Sequence, residues 1–378
     1  MRSLLWLAAP LLLSVAACGA EAAAIDDEAA SSDIVRRPAG SEPAASGADP
    51  AIPGAATPGA PAGNACIAQP ACNSATGPQL GAARPWTHSL VSKIIAAAGP
   101  AFHRGRDQIL SAGEPQWVMG KITYSLIDKD LKDEDVDVFV ERGCGGTWEK
   151  LGTAVTTQNG AHATVDGVED SGGRVYFQIP NAKELGTGRH RVRLVVAGDQ
   201  TSTDLRIDVL PKGSPIVVSD VDGTLTSSET AEYPALLTGS LPAAQPKAAD
   251  ALASLAAKGY HVVYLTARPE WLTGRTREFL TANGFPAGTV HTTTGITGAL
   301  GGAAATFKTD ELTRLAGHGL VIDWAFGNKA SDTDAYDAAK VPAAHRIFLG
   351  VTDAHGGKRI DGYAEILPTL AALPATCK

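Results

Sequence analysis

The chemistry in this 378-residue chain concentrates between Ile216 and Thr226, IVVSDVDGTLT. A short apolar run enters two carboxylates one residue apart, Asp220 and Asp222, then Gly223 and Thr224. An apolar run bounded by turn signals reads as a buried parallel strand, whose C-terminal end is where open α/β sheets bind ligands. There one carboxylate can attack while the next protonates, and both can help hold a divalent cation. Gly223 lets the backbone approach an anion, so the amides after it can cradle phosphate. An acidic turn after a strand would look the same in isolation. Partners elsewhere decide it.

Those partners stand at the ends of later strands. Tyr260–Thr266 reads as a second buried strand ending in a hydroxyl, Lys308 can offset negative charge, and Asn328 and Asp332 in GNKASD follow a strand at Leu320–Phe326. In this order the four stretches resemble the motifs of the haloacid dehalogenase superfamily. The resemblance implies Asp220 as nucleophile, Asp222 as acid and base, and Thr266 and Lys308 as phosphoryl-binding and charge-offsetting groups. It also implies Gly223 and Thr224 at the phosphate, and Mg²⁺ held by Asp220, Asp222, Asp332 and Asn328. Arg268 could reach a phosphate, but pairing with Glu270 is the favoured reading.

Helices are expected at Pro246–Lys258, Glu270–Asn283, Lys308–Ala316 and Ser331–Ala339. Further strands are expected at Thr289–His291 and Arg346–Leu349. This alternation predicts a doubly wound, mostly parallel sheet over residues 213–378. Residues 105–212 have a period of two instead, with Val136, Val138 and Val140, and Val192, Leu194 and Val196, which predicts a β-sandwich. The Pro211–Ser214 joint predicts a rigid pair, with the sandwich beginning on the far side of the sheet from the acids.

Residues from about 105 to 365 resemble the C-terminal region of membrane-associated phosphatidylinositol transfer proteins. The carrying stretches are EPQWVMGKITY, VDVFVERGCGGTWEKLGTAVT, RVRLVVAGDQTSTDLRIDVLPKG, YHVVYLTARPEW and NGFPAGTV. That region joins a sandwich-like segment to a lipin-type domain. Lipins hydrolyse phosphatidate with Mg²⁺, whereas the transfer-protein domains generally lack the first Asp and bind phosphatidate without cleaving it. Asp220, Asp222 and Thr224 follow the lipin pattern. The resemblance therefore implies a Mg²⁺-dependent phosphatidate phosphatase; the alternatives are a non-catalytic phosphatidate or phosphoinositide binder and a phosphatase of soluble phosphomonoesters.

The remaining chain sets the surroundings. Residues 1–18 read as a signal peptide whose Val15-Ala16-Ala17-Cys18 end resembles a bacterial lipobox, which implies lipidation of Cys18 and an exported, envelope-anchored or secreted protein. Residues 19–64, rich in Ala, Gly and Pro, read as a tether. Residues 65–104 hold two cysteines and a short helix at Thr87–Ala98, whose stripe of Leu90, Val91, Ile94, Ile95 and Ala98 is read as core packing. In an exported chain Cys66, Cys72, Cys144 and Cys377 predict two disulfides, with Cys66–Cys72 and Cys144–Cys377 favoured. The net charge of -8 without a basic cluster argues against nucleic acid. Finally, about twenty residues between Thr224 and Pro246 are too few for an ordinary folded cap, so the site should be open to a membrane-borne phosphate.

Overall fold

The structure is a computed structural model that describes residues 66–377 apart from 68, 126 and 231–238. The signal-like segment with Cys18, and the tether, lie outside the described residues.

A short helix, α1 (Ser89–Ala97), precedes the sandwich strands. These are β1 (Arg104–Arg106), β2 (Gln108–Ser111), β3 (Trp117–Lys121), β4 (Thr123–Tyr124), β5 (Lys129–Asp130), β6 (Asp135–Glu141), β7 (Trp148–Val155), β8 (Arg174–Gln178), β9 (Gly188–Val196) and β10 (Ser202–Leu210). One sheet has the order β1-β3-β8 and the other β2-β10-β9-β6-β7. Alternation decides which side chains meet between them: Val136, Val138 and Val140, and Val192, Leu194 and Val196, all enter one core. The intervening Asp137 takes Arg84 and Lys150 outside it.

The second sheet is six-stranded and wholly parallel. Its strands are β11 (Pro215–Ser219), β12 (His261–Pro269), β13 (Gly288–Thr293), β14 (Val321–Gly327), β15 (Arg346–Leu349) and β16 (Lys358–Ile360), in the order β13-β12-β11-β14-β15-β16. The helices are α2 (Ala248–Ala256), α3 (Thr273–Ala282), α4 (Gly301–Gly317), α5 (Ala330–Ala338) and α6 (Leu367–Ala371). Both faces are covered, as parallel sheets require. Val217 packs with Leu252, Leu255, Phe279 and Leu370, contributed by α2, α3 and α6. Its neighbours Ile216 and Val218 point the other way, to Leu312, Leu315, Ala335 and Tyr336 of α4 and α5. With β11 buried on both sides, each of these valines contributes about 1.5–3 kcal/mol of burial.

Several expectations are corrected. Lys247, at a φ of +67°, caps α2, so Pro246 lies before that helix rather than in its first turn. Glu270–Leu272 forms a 3-10 turn before α3, and α4 begins two turns ahead of Lys308. A further edge strand, β16, follows Arg346–Leu349.

The stripe on α1 is largely solvent-facing. Leu90, Val91 and Ile94 are exposed, and Ile95 and Ala96 carry the packing against the sandwich. Periodicity marks one face of a helix but not what covers it.

The sandwich does not stay on the far side of the sheet. It lies along β13, where the buried Asp107 accepts the Val290 N–H at 2.9 Å and pairs with Arg277 of α3 at 2.6 Å. Arg104 and Arg174 reach Glu270, each at 3.1 Å, just beyond the C-terminal end of β12. Ile109 and Leu210 enter the same core as Val218 and Leu312, so the two domains share apolar packing. An edge strand leaves backbone groups to be paired, and here Asp107 takes the Val290 N–H and Arg106 the Thr292 carbonyl.

The disulfide pairing also differs. Cys66 joins Cys377 and Cys72 joins Cys144, with Cα separations of 5.0 and 5.1 Å. The segment after Cys66 runs from Tyr260, where Gln69 donates to the carbonyl, to the sandwich, where Arg191 donates to the Ser74 carbonyl. Sequence proximity of Cys66 and Cys72 therefore says nothing about which sulfurs meet.

Candidate active site

Strand register assembles the site. Ser219 stands beside Tyr264 on one side and Phe326 on the other, so Asp220 leaves β11 level with Thr266 and with the Gly327–Asn328 turn. Its N–H donates to the Phe326 carbonyl at 2.9 Å, which fixes where the side chain starts.

Asp220 is 4% exposed. The Lys308 ammonium donates to its Oδ1 at 2.7 Å, and the Thr224 hydroxyl donates to Oδ2 at 2.9 Å. Lys308 reaches it from α4 and also donates to Asp332 Oδ1 at 2.5 Å. One buried ammonium thus serves two buried carboxylates. Burial first, and then Asp332 and Asp222, push the Asp220 carboxyl up to about 7 against the opposing pull of Lys308. Burial would lower Lys308, but the Asp220 and Asp332 charges outweigh it and hold the ammonium above its ordinary range.

Asp332 is placed by the start of α5. Its Oδ2 accepts the backbone N–H groups of Asn328 and Lys329 at 2.9 and 3.0 Å, closing the first turn of that helix. Asn328 ties this turn to the first motif: its Oδ1 accepts the Thr224 hydroxyl at 2.9 Å, and its Nδ2 donates to Glu229 at 2.5 Å.

Asp222 turns the other way, and about a quarter of it remains exposed. Thr266 donates to its Oδ2 at 3.1 Å. Arg268 grips it in a fork, Nη2 to Oδ1 at 2.7 Å and Nε to Oδ2 at 2.9 Å. Pairing of Arg268 with Glu270 is therefore overturned; β12 ends at Pro269, and Glu270, at the start of a 3-10 turn, is engaged by Arg104 and Arg174.

The expected role of Gly223 shifts as well. Its N–H donates to Thr226 Oγ1 at 2.8 Å, and the amides of Leu225 and Thr226 return to the Val221 carbonyl, so these three are committed inside the turn. What Gly223 supplies is a φ of +75° and the absence of a side chain where Glu229 and Asn328 close over it.

All of Asp220, Asp222, Thr224, Thr266, Lys308, Asn328 and Asp332 thus meet at one edge of the sheet. Sequence reasoning missed three contributors. Glu229 bonds Asn328 and Lys329, Tyr336 donates to the Phe326 carbonyl at 2.7 Å, and Tyr363 donates to the Thr224 carbonyl at 2.9 Å. None carries a local signal: Glu229 and Tyr363 act across about a hundred residues or more, and Tyr336 reaches back from α5 to the end of β14.

Among the described residues no group of three or more His, Cys, Asp or Glu side chains suited to a metal occurs. The donors brought together are oxygens: the carboxylates of Asp220 and Asp332 and the Asn328 amide oxygen. Such a set fits Mg²⁺, which is held by one or two carboxylates and retains water.

Comparison with known proteins finds matches in two stretches of the chain. Residues 217–350 match the family model described as the PITM 1-3 LNS2 domain, and residues 101–165 and 162–209 match the PITM 1-3 beta-sandwich domain. Membrane-associated phosphatidylinositol transfer protein 3 of Homo sapiens is 28% identical over 238 residues, 62% of this chain and 22% of that protein. Membrane-associated phosphatidylinositol transfer protein 1 of Rattus norvegicus is 32% identical over 185 residues, 48% of this chain and 13% of that protein. Protein retinal degeneration B of Drosophila melanogaster is 30% identical over 254 residues, 64% and 18% respectively. The chain spans less than a quarter of each of these relatives. Among solved structures, the class C acid phosphatase from Bacillus anthracis aligns over 32% of this chain and 53% of its own, at 20% identity and a TM-score of 0.25. A deoxy-D-mannose-octulosonate 8-phosphate phosphatase from Haemophilus influenzae aligns over 42% and 87%, at 14% identity and a TM-score of 0.28.

Proposed function

We propose that this protein is a Mg²⁺-dependent phosphomonoesterase of the haloacid dehalogenase type, acting on phosphatidate or a related membrane phospholipid. The observation that carries the reading is the pair of acids with divided partners: Asp220 held by Lys308 and Thr224, and Asp222 held by Thr266 and Arg268. Asp220 attacks phosphorus in line and forms an aspartyl-phosphate. Asp222 donates a proton to the leaving oxygen and then takes one from the water that hydrolyses the intermediate. Lys308 and the Thr266 hydroxyl offset charge on the transferring group. Asp220, Asp332, the Asp222 carbonyl and Asn328 would hold Mg²⁺, which when bound supplies charge neutralisation at the phosphoryl oxygens.

Substrate class rests on two supports. The relatives are named as membrane-associated phosphatidylinositol transfer proteins. The stretch from Thr266 to Lys308 is used by a 3-10 turn, α3, β13 and a loop, which leaves no room for a cap domain there. An uncapped site suits a phosphate presented by a bilayer. The lipobox-like end at Cys18 adds export and a lipid anchor to this proposal.

A second reading is favoured by those same names: a module that binds phosphatidate or a phosphoinositide without cleaving it. One assay separates the two. The purified full chain should release phosphate from phosphatidate in mixed micelles with Mg²⁺, more efficiently than from soluble sugar phosphates, and chelation should stop it. Asp220→Asn should lower the rate by about three orders of magnitude or more while the fold persists. Binding of phosphatidate with no release would leave the second reading; better turnover of a soluble ester would move the substrate class.

A further inference from the structure

The sheet edge that carries the acids also carries an apolar lip. No Asp, Glu, Lys or Arg occurs between His291 and Lys308, although 19% of the chain is charged. That stretch forms the end of β13, a loop and the start of α4. Its larger apolar members are not folded inward: Ile296 is 64% exposed and Leu300 81%. The loop is nevertheless pinned. Ala299 N–H donates to the Ala267 carbonyl at 2.9 Å, the Trp271 indole N–H donates to the Ile296 carbonyl at 2.7 Å, and Gly298, at a φ of +73°, lies against Ala267 and Pro269. Both side chains are thus held in solvent beside the segment that bears Thr266 and Arg268.

A single exposed Leu needs no explanation, but two large apolar groups on a fixed, uncharged loop at the rim of a site do. The surroundings extend the same character. Trp271 lies 6.2 Å from the Phe102 ring, and Ile127, 81% exposed, precedes Asp128, which pairs with the same Arg104 that bonds Glu270. Lys129, which follows it, is exposed as well. An uncharged apolar lip matches the acyl layer of a phospholipid surface, where a charge is costly.

We infer that the Ile296–Leu300 loop is an interfacial lip that inserts into a phospholipid bilayer and brings the Asp220 edge of the sheet to it. This deepens the proposed function and rests on that reading for its link to catalysis, but the contact itself can be measured without turnover. The probe is the full chain carrying Cys18→Ser, so that no lipid anchor contributes, floated with vesicles of phosphatidylcholine or of phosphatidylcholine with phosphatidate. Ile296→Ser with Leu300→Ser should lower the vesicle-bound fraction about tenfold or more on both vesicle types. Hydrolysis of a soluble phosphomonoester should stay within about twofold of the parent. Ile296→Phe with Leu300→Phe should retain or raise vesicle binding, which decides the matter if the serine pair lowers the melting temperature. The inference is overturned if the parent does not float, if the serine pair floats equally, or if sedimentation shows a self-associated parent that the serine pair dissociates, because a second copy then covers the lip. Loss of all turnover with this binding difference intact would remove the phosphatase reading and leave the lip.

Discussion

Arg268 shows what a single side chain decides in this site. A guanidinium fork on a carboxylate gives two charge-assisted bonds in one plane, and a lysine cannot reproduce it. Arg268→Lys should therefore misplace Asp222 without unfolding the protein. We expect kcat on phosphatidate to fall about ten- to a hundredfold, with KM moved less, because the proton-transfer group is displaced while phosphate contacts remain. Steady-state kinetics checks this, and an unchanged kcat would show that Arg268 only fills space. Asp222 itself was apparent from its spacing to Asp220. Its arginine was not, since Glu270 stands two residues from Arg268 in sequence and Asp222 forty-six.

At the level of elements, the contact between the sandwich and β13 rests on Asp107. That carboxylate is fully buried and takes Arg277 together with the N–H groups of Arg206 and Val290. Its partners hold it below the usual carboxylate range despite the burial that opposes them. Asp107→Ala would strand Arg277 and two amides, so urea unfolding should report a loss of about 3–5 kcal/mol. A loss under about 1 kcal/mol would mean that water replaces the carboxylate. A second clasp joins α4 to the sandwich: His318 faces Glu114 through Nδ1 at 3.0 Å and Asp166 through Nε2 at 3.1 Å. The bond to Asp166 raises its pKa above the ordinary histidine value, with burial opposing and Glu114 assisting. A histidine raised in the folded state contributes stability that is fully present below about pH 6.5 and lost as pH climbs through the folded value. The melting temperature of the parent relative to His318→Gln should therefore shrink from pH 6 upward. A constant difference would place the bonds' worth in their neutral form.

For the whole molecule the chain ends matter most. Cys66–Cys377 spans 311 residues and Cys72–Cys144 spans 72, so the first ties the entry of the described chain to its close across both domains. Peptide mapping without reduction should recover these two pairs, and a Cys66–Cys72 crosslink would contradict the arrangement. Cys66→Ser with Cys377→Ser should cost about 2–5 kcal/mol, read as a lower denaturant midpoint. The Cys66 and Cys377 sulfurs sit beside Gly259, which precedes β12, so this disulfide lies at the opposite end of the strands from Asp220. The Ile296–Leu300 loop and the acids therefore share the C-terminal end of the strands, and the Cys66–Cys377 disulfide lies at the other.

What the sequence determined by itself is what period and strand ends encode. Val217 against Ile216 and Val218, and Val136 to Val140, alternate because a strand has two faces, so a parallel α/β sheet and a sandwich were legible before any coordinates. Asp220, Asp222, Thr266, Lys308 and Asp332 could be listed as candidates because each belongs to a local stretch with its own spacing, and the register of three strands brings them to one edge. Tertiary structure alone decided the contacts that join distant elements. These include Arg268 on Asp222, Glu229 on Asn328, the sulfur pairing, the sandwich against β13, and the exposure of Leu90, Ile296 and Leu300. The physical reason is common to them all: a side chain's partner is chosen by which surfaces pack, and packing has no period in the sequence.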